Sequence, residues 1–330
     1  MSNIPITIAT GDYDRVRAIR EGHVAVGGTD VTYLLLEPEE LFFRTVRYQE
    51  FDVAEMSFST YIMQRDRGIR DYIAVPVFLS RIFRHSGFYI RTDRGIRDAA
   101  ELRGKRVGVP EYQMTACVWQ RGLLQDEYGV SAREIIWHTG GLEEPGREER
   151  SPLTPPPGVD LAPIAAGKTL SAMLEGGELD AVLAPRAPSC FLRGVPNVGR
   201  LFRDYRSAEQ AYYRKTRLHP IMHVLGVRQS LVDQYPWLPG NLFRAFCQAK
   251  EAAVAELERI ITLSVTLPWV GAELASTREV LGHDFWPYGF EENRGEIETL
   301  IRYSLEQGLI SKAPKPEGLF APSTLATARI

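Results

Sequence analysis

Four residues have side chains suited to moving a proton, and all four stand where an extended run meets a polar break. His85 lies in SRIFRHSG, His219 and His223 lie in RLHPIMH, and Glu55 lies in AEMSFST. Histidine exchanges a proton near neutral pH, so each of the three is a candidate general acid or base. A glutamate at the end of a buried strand is costly unless it is paired or put to use. A salt bridge to one of the many arginines is the competing account of Glu55. His219 and His223 are four apart, which would suit a metal on a helix, but Pro220 argues for an extended chain. On a strand His219, Ile221 and His223 share one face, with no third ligand in view, so no metal is expected.

Other residues are fitted to hold an anion. Arg81 and Arg84 precede His85, and Arg186 follows a short strand in APRAP; guanidinium meets carboxylate at two points. GVPEYQMTACVW ends a strand and opens a helix, with Glu111, Tyr112, Gln113 and Thr115 around the first turn. The amides at a helix start lack partners and favour negative charge, so a carboxylate is the natural guest there. Thr115 reads as the N-cap, and an ordinary capped βα turn is the alternative account. Thr10 and Tyr13, in TGDYD, lie at the equivalent place after the first strand. Glu55, Ser57 and Ser59 share one face of the third strand if it stays extended.

Positioning these groups falls to alternating strands and helices. Ile4, Ile6 and Ile8 alternate with small or polar residues, VTYLLLEP and YIAVPVFLS read as strands, and PEELFFRTVRYQ reads as an amphipathic helix. The alternation continues through residues 105–128 and 170–184, and from Pro239 the pattern is mostly helical. Such a chain builds mostly parallel sheets covered by helices on both faces. Residues 141–158, rich in Pro, Gly and charge, read as a long surface loop. SGFYIRTD and HPIMHVLGV look like crossings between two lobes. Lobe 1 would be residues 1–87 and 219–330, and lobe 2 an insertion of 88–218, with a ligand cleft between them where open α/β sheets bind small molecules.

Composition narrows the function. The net charge is -3 over 330 residues with Lys and Arg scattered among acids, which disfavours nucleic acid. No apolar run is long enough to span a membrane, and the opening MSNIPITIATGDYDRV carries no signal-peptide pattern, so a cytoplasmic protein is expected. Cys117, Cys190 and Cys247 stand far apart, without zinc or disulfide spacing. Nucleotide, flavin and serine-hydrolase fingerprints are missing. A homo-oligomer stays open.

Six segments in order, GDYDRV, EPEELFFRTVRYQEFDVAEMSFSTYIM, PVFLSRIFRHSGFYIR, LRGKRVGVPEYQMTACVWQRGLLQDEYGV, HPIMHVLGV and DFWPYG, resemble the 4,5-dihydroxyphthalate decarboxylase family. That family in turn resembles type II periplasmic solute-binding proteins, which agrees with the inserted lobe. The resemblance implies cofactor-independent decarboxylation of a hydroxylated aromatic acid, with protocatechuate the product for the family's namesake. A proton donor would be drawn from His85, His219, His223 or Glu55, with Arg81 and the amides before Thr115 holding carboxylate. The alternative is a solute-binding protein that captures a small carboxylate without turning it over. A biosynthetic enzyme on the same receptor-like fold is a third reading, kept open by HPIMH.

Overall fold

A computed structural model describes residues 3–149, 151–259 and 261–326. The chain opens with β1 (Ile4–Thr10), α1 (Asp14–Arg20), β2 (Thr29–Leu35), α2 (Pro38–Tyr48), β3 (Val53–Ser57), α3 (Phe58–Asp66) and β4 (Tyr72–Arg81). Next come β5 (Phe88–Arg91), β6 (Arg106–Val109), α4 (Thr115–Tyr128), β7 (Ile136–Thr139) and β8 (Asp160–Pro163). They are followed by α5 (Leu170–Glu175), β9 (Ala181–Leu183), α6 (Ser189–Leu192), β10 (Val198–Arg200) and α7 (Tyr205–Thr216). The chain closes through β11 (Ile221–Arg228), α8 (Gln229–Gln234), α9 (Leu238–Leu257), α10 (Val270–Leu281) and α11 (Arg294–Glu306).

Two compact units emerge. The first comprises Met1–Arg81, Ile221–Glu298 and Pro314–Ile330, the second Ile82–Pro220 and Thr299–Ala313. Unit 1 is built on a five-stranded sheet in the order β2-β1-β3-β11-β4, with β1, β2 and β3 mutually parallel and β11 running against both its neighbours. Ile6, Ile8, Val53, Val75, Val77 and Leu225 bury its two faces. Val16 and Ile19 turn α1 inward, and α1 packs on α9. Unit 2 is built on a six-stranded sheet, β10-β5-β9-β6-β7-β8, parallel from β9 through β8. Its helix α4 ends at Gly129 in the left-handed conformation that glycine adopts without strain. Within α4, Gly122 is required for another reason: a Cβ there would overlap the ring of Tyr303 on α11.

Several local expectations change. Thr115 is already helical and Met114 is the N-cap, without a side-chain cap bond. β3 ends at Ser57 and α3 begins at Phe58, so Ser59 leaves the face shared by Glu55 and Ser57. β11 begins at Ile221, so His219 lies outside the strand that carries His223. The loop 141–158 is not wholly at the surface, since Ser151 and Pro156 are buried. No helix among the described residues is long and apolar enough to cross a membrane.

Candidate active site

The chemistry of unit 1 gathers at the ends of β1 and β3. Glu55 is fully buried in β3, one register step past the Ala9–Ala54 pair that joins β3 to β1. β11 runs antiparallel on the other side of β3, pairing Leu225 with Glu55 and His223 with Ser57. Three donors converge on one carboxylate. The Gly11 N–H donates to Oε2 at 2.8 Å, the Tyr13 hydroxyl donates to Oε1 at 2.8 Å, and His223 Nδ1 stands 2.7 Å from Oε1. Gly11 is needed here because a Cβ would come within 2.8 Å of the Tyr13 ring and hydroxyl. The chain therefore folds Tyr13 back over its own backbone and delivers the hydroxyl to Glu55.

The electrostatics follow from this contact set. Burial by itself pushes the Glu55 carboxyl up. The hydrogen bond and charge of His223, with the Gly11 amide and Tyr13 hydroxyl, outweigh it and hold the carboxyl below its usual range. Burial and the adjacent Glu55 charge raise Tyr13, so its phenol keeps its proton. An ionised carboxylate can only accept, which places a proton on His223 Nδ1 and leaves Nε2 as the exchangeable nitrogen. Of the His223–Glu55 pair, His223 is the one that reaches solvent, its side chain 17% exposed against 0% for Glu55. Phe42 packs edge-on to its ring at 4.7 Å.

Thr10 and Tyr33 extend the cluster, their hydroxyls 2.9 Å apart, and Ser57 Oγ accepts from Thr60 at 3.2 Å. Arg15 was missed in the sequence. Its guanidinium lies between the rings of Tyr13 at 4.1 Å and Trp286 at 4.4 Å, and donates through Nε to the Leu79 carbonyl at 2.8 Å. A cation is thus fixed beside the tyrosine that touches Glu55. Arg81 is buried, with Glu296 at 3.4 Å and the Pro287 carbonyl as partners. Ser59 is buried in α3.

The remaining candidates belong to unit 2 and have other surroundings. His85 is buried edge-on to Phe202 and Tyr212, and burial lowers its pKa to about 4, so the ring is neutral. His219 stacks on Phe83 at 4.6 Å. Arg186 is exposed beyond β9. At the α4 start, Glu111 pairs with Arg147, and the amides of Tyr112 and Gln113 donate to the carboxylate of Glu149. Gln113 Nε2 reaches the Ser151 carbonyl at 3.1 Å, and the Tyr112 ring carries the Arg121 guanidinium at 3.7 Å. Thr115 is buried in the first turn. The polar crowd of GVPEYQMT is therefore met by Arg147, Glu149 and Ser151 of the same unit, and the amides suited to a foreign carboxylate hold one of the chain's own. Sequence reading also passed over Glu209 on α7, which accepts from the Ser86 N–H at 3.3 Å and whose carboxyl burial pushes up to about 7. No group of three or more His, Cys, Asp or Glu among the described residues is arranged to hold a metal ion.

No family model matches the chain. A 4,5-dihydroxyphthalate decarboxylase of Comamonas testosteroni is 46% identical over 330 residues, covering 100% of both chains. The chain belongs to the 4,5-dihydroxyphthalate decarboxylase family. A second decarboxylase of that name, from Pseudomonas putida, is 48% identical over 214 residues, covering 65% of this chain and 83% of its own. Members of this family are carboxy-lyases by name, and this chain is an enzyme of that class. Its fold is that of periplasmic binding proteins. The aliphatic sulphonate binding protein of Escherichia coli superposes with a TM-score of 0.56 at 12% identity, over 98% of this chain and 99% of that one. A periplasmic sulfonate-binding protein from Methylobacillus flagellatus gives 0.56 at 12% identity, over 97% and 92%.

Proposed function

We propose that this enzyme decarboxylates 4,5-dihydroxyphthalate to protocatechuate without a cofactor, with His223 as the proton donor that Glu55 orients. The observation carrying the role assignment is the 2.7 Å contact between His223 Nδ1 and a buried Glu55. It is supported by the surroundings of His85, a neutral ring buried edge-on to Phe202 and Tyr212. The substrate is supported by identity along the full length to a decarboxylase of that name.

Each carboxyl-bearing carbon of the substrate is para to a hydroxyl. As that hydroxyl gives up its proton to solvent water, its oxygen pushes electrons through the ring, and the carbon bearing the carboxylate takes a proton from His223 Nε2. The ring is now a dienone with one tetrahedral carbon. The bond to the carboxylate then breaks, its electron pair restores aromaticity, carbon dioxide leaves, and the phenolate is reprotonated. One proton is consumed overall. The ring oxygen itself is the electron sink, which is why the reading needs no cofactor. The anionic Glu55 stabilises the imidazolium before transfer and keeps the proton-bearing nitrogen correctly turned. Arg15, stacked beside Tyr13 and ion-paired with Asp14 at 3.2 Å, is a cation in this unit that we assign to the substrate's charge.

The deciding experiment incubates chelator-treated protein with 4,5-dihydroxyphthalate and follows protocatechuate and carbon dioxide. Turnover without added metal is expected. Binding without turnover, with or without divalent ions, would leave a receptor and end the enzymatic reading of this substrate. Turnover that returns only with a divalent ion would remove cofactor independence.

A further inference from the structure

DFWPYG, residues 284–289, lies along the second half of β4, where the sheet of unit 1 is irregular. His223 of β11 pairs with Ser80 and Leu225 with Val75, so a step of two residues on β11 meets a step of five on β4. Pro76 stands in that break, where a residue without an N–H is tolerated because the ladder is already interrupted. Carbonyls of the irregular stretch accept from outside the sheet. The Gly289 N–H donates to the Pro76 carbonyl at 2.9 Å, Trp286 Nε1 to that of Phe78 at 2.9 Å, and Arg15 Nε to that of Leu79 at 2.8 Å. DFWPYG and Arg15 are thus docked on the same few residues of β4, opposite the part of β11 that carries His223.

A buried lysine ties the segment to α9. Lys250 is 8% exposed, and lysine is seldom buried so far unless it is paired. Its Nζ donates to Asp284 Oδ1 at 3.0 Å and to the Trp286 carbonyl at 3.2 Å, and it lies 5.3 Å from the centre of the Tyr288 ring. One ammonium therefore touches three residues of DFWPYG. A buried ion pair is poor evidence of a stabilising device, since apolar residues of similar volume often serve the fold as well or better. What such a pair does supply is a fixed conformation for the backbone it grips.

We propose that Lys250 is a positioning residue, which holds Trp286 where its indole fixes the guanidinium of Arg15 for the substrate. The inference rests on the assignment of Arg15 to the substrate's charge. Nε and Nη2 of Arg15 both donate to the Leu79 carbonyl. Nη1 meets Asp14, whose side chain is half exposed, and such a pair constrains little. The plane of the guanidinium is set by the stack, with the Tyr13 ring at 4.1 Å and the Trp286 ring at 4.4 Å. Tyr13 is anchored by its hydroxyl on Glu55. Trp286 is anchored by its indole N–H on Phe78 and by its carbonyl on Lys250. Loss of the ammonium releases the backbone of residues 284–286, and the indole over Arg15 moves with it.

The test is steady-state turnover of 4,5-dihydroxyphthalate alongside urea unfolding of the full chain. Lys250→Met/Asp284→Asn removes both charges and strands neither. Its KM is expected to rise about 10–100-fold with kcat within about threefold of wild type, while its unfolding midpoint stays at or above that of wild type. Lys250→Gln, a smaller polar change, carries the same kinetic expectation, so a destabilised double variant still leaves the split to be measured. Trp286→Leu should raise KM to a similar degree, and adding Lys250→Met/Asp284→Asn to it should cost no more than about twofold further. A residue that merely supports the fold would lower the midpoint and leave KM in place. That result overturns the proposal, as do losses that multiply in the triple variant. Arg15→Gln separates the inference from the assignment beneath it. If Arg15→Gln raises KM and the Lys250 variants do not, the positioning role alone is wrong. If Arg15→Gln keeps the wild-type KM, Arg15 does not meet the substrate and both fall.

Discussion

At the scale of the residue, one carboxylate organises the candidate site. Glu55 is buried and ionised because three donors meet it, so removing its charge should be felt by His223. In Glu55→Gln the donors remain but the anion that stabilises an imidazolium is gone. Turnover should fall about 100-fold or more while substrate affinity changes little, and His223→Gln should fall about 10²–10⁴-fold. Steady-state kcat and KM with a direct binding measurement check both. A loss confined to affinity would show that neither residue handles the proton. His85 gives a contrasting prediction about stability. Its folded pKa of about 4 lies below the unfolded 6.5, so the unfolded chain binds the extra proton. Stability from this group is complete above pH 6.5 and is lost as pH falls towards 4, up to roughly 3 kcal/mol. His85→Phe should flatten that loss in urea unfolding at pH 7 and pH 5, with turnover retained.

At the scale of the element, turns rather than regular structure aim the functional groups. The β1–α1 turn folds Tyr13 onto Gly11, so Gly11→Ala should push the hydroxyl away from Glu55. Its effect on turnover should match that of Tyr13→Phe, and the double variant should be no worse than either single one, a non-additivity that a double-mutant cycle reads directly. Helix α4 offers a case where two effects compete. Replacing a mid-helix glycine by alanine ordinarily gains about 1 kcal/mol. At Gly122 the new methyl would overlap the Tyr303 ring, and such overpacking costs about 1–3 kcal/mol. The overlap should win, and chemical denaturation of Gly122→Ala should show net destabilisation. These turns were only partly legible. The polar residues of GVPEYQMT marked a special helix start, but the residues that meet them, Arg147, Glu149 and Ser151, looked like solvent-exposed low-complexity chain because their contacts come from outside the segment.

At the scale of the whole molecule, the units draw on distant parts of the chain. α11 contributes to both, since Glu298 belongs to the first and Thr299 to the second, and the helical pattern of the tail does not announce that division. Trp286 joins two features of unit 1, stacking on Arg15 while its carbonyl accepts from Lys250 of α9. The sequence by itself determined the α/β class, most element positions and the family, because hydrophobic periodicity and turn residues are local and because family segments survive in order along the chain. Tertiary structure alone decided which histidine meets Glu55. His223 and Glu55 are 168 residues apart and become neighbours only because β11 inserts antiparallel between β3 and β4. A strand's periodicity says which residues share a face but nothing about which strand will lie beside it. The partner of a buried charge is therefore set by sheet order and register, which no local pattern carries.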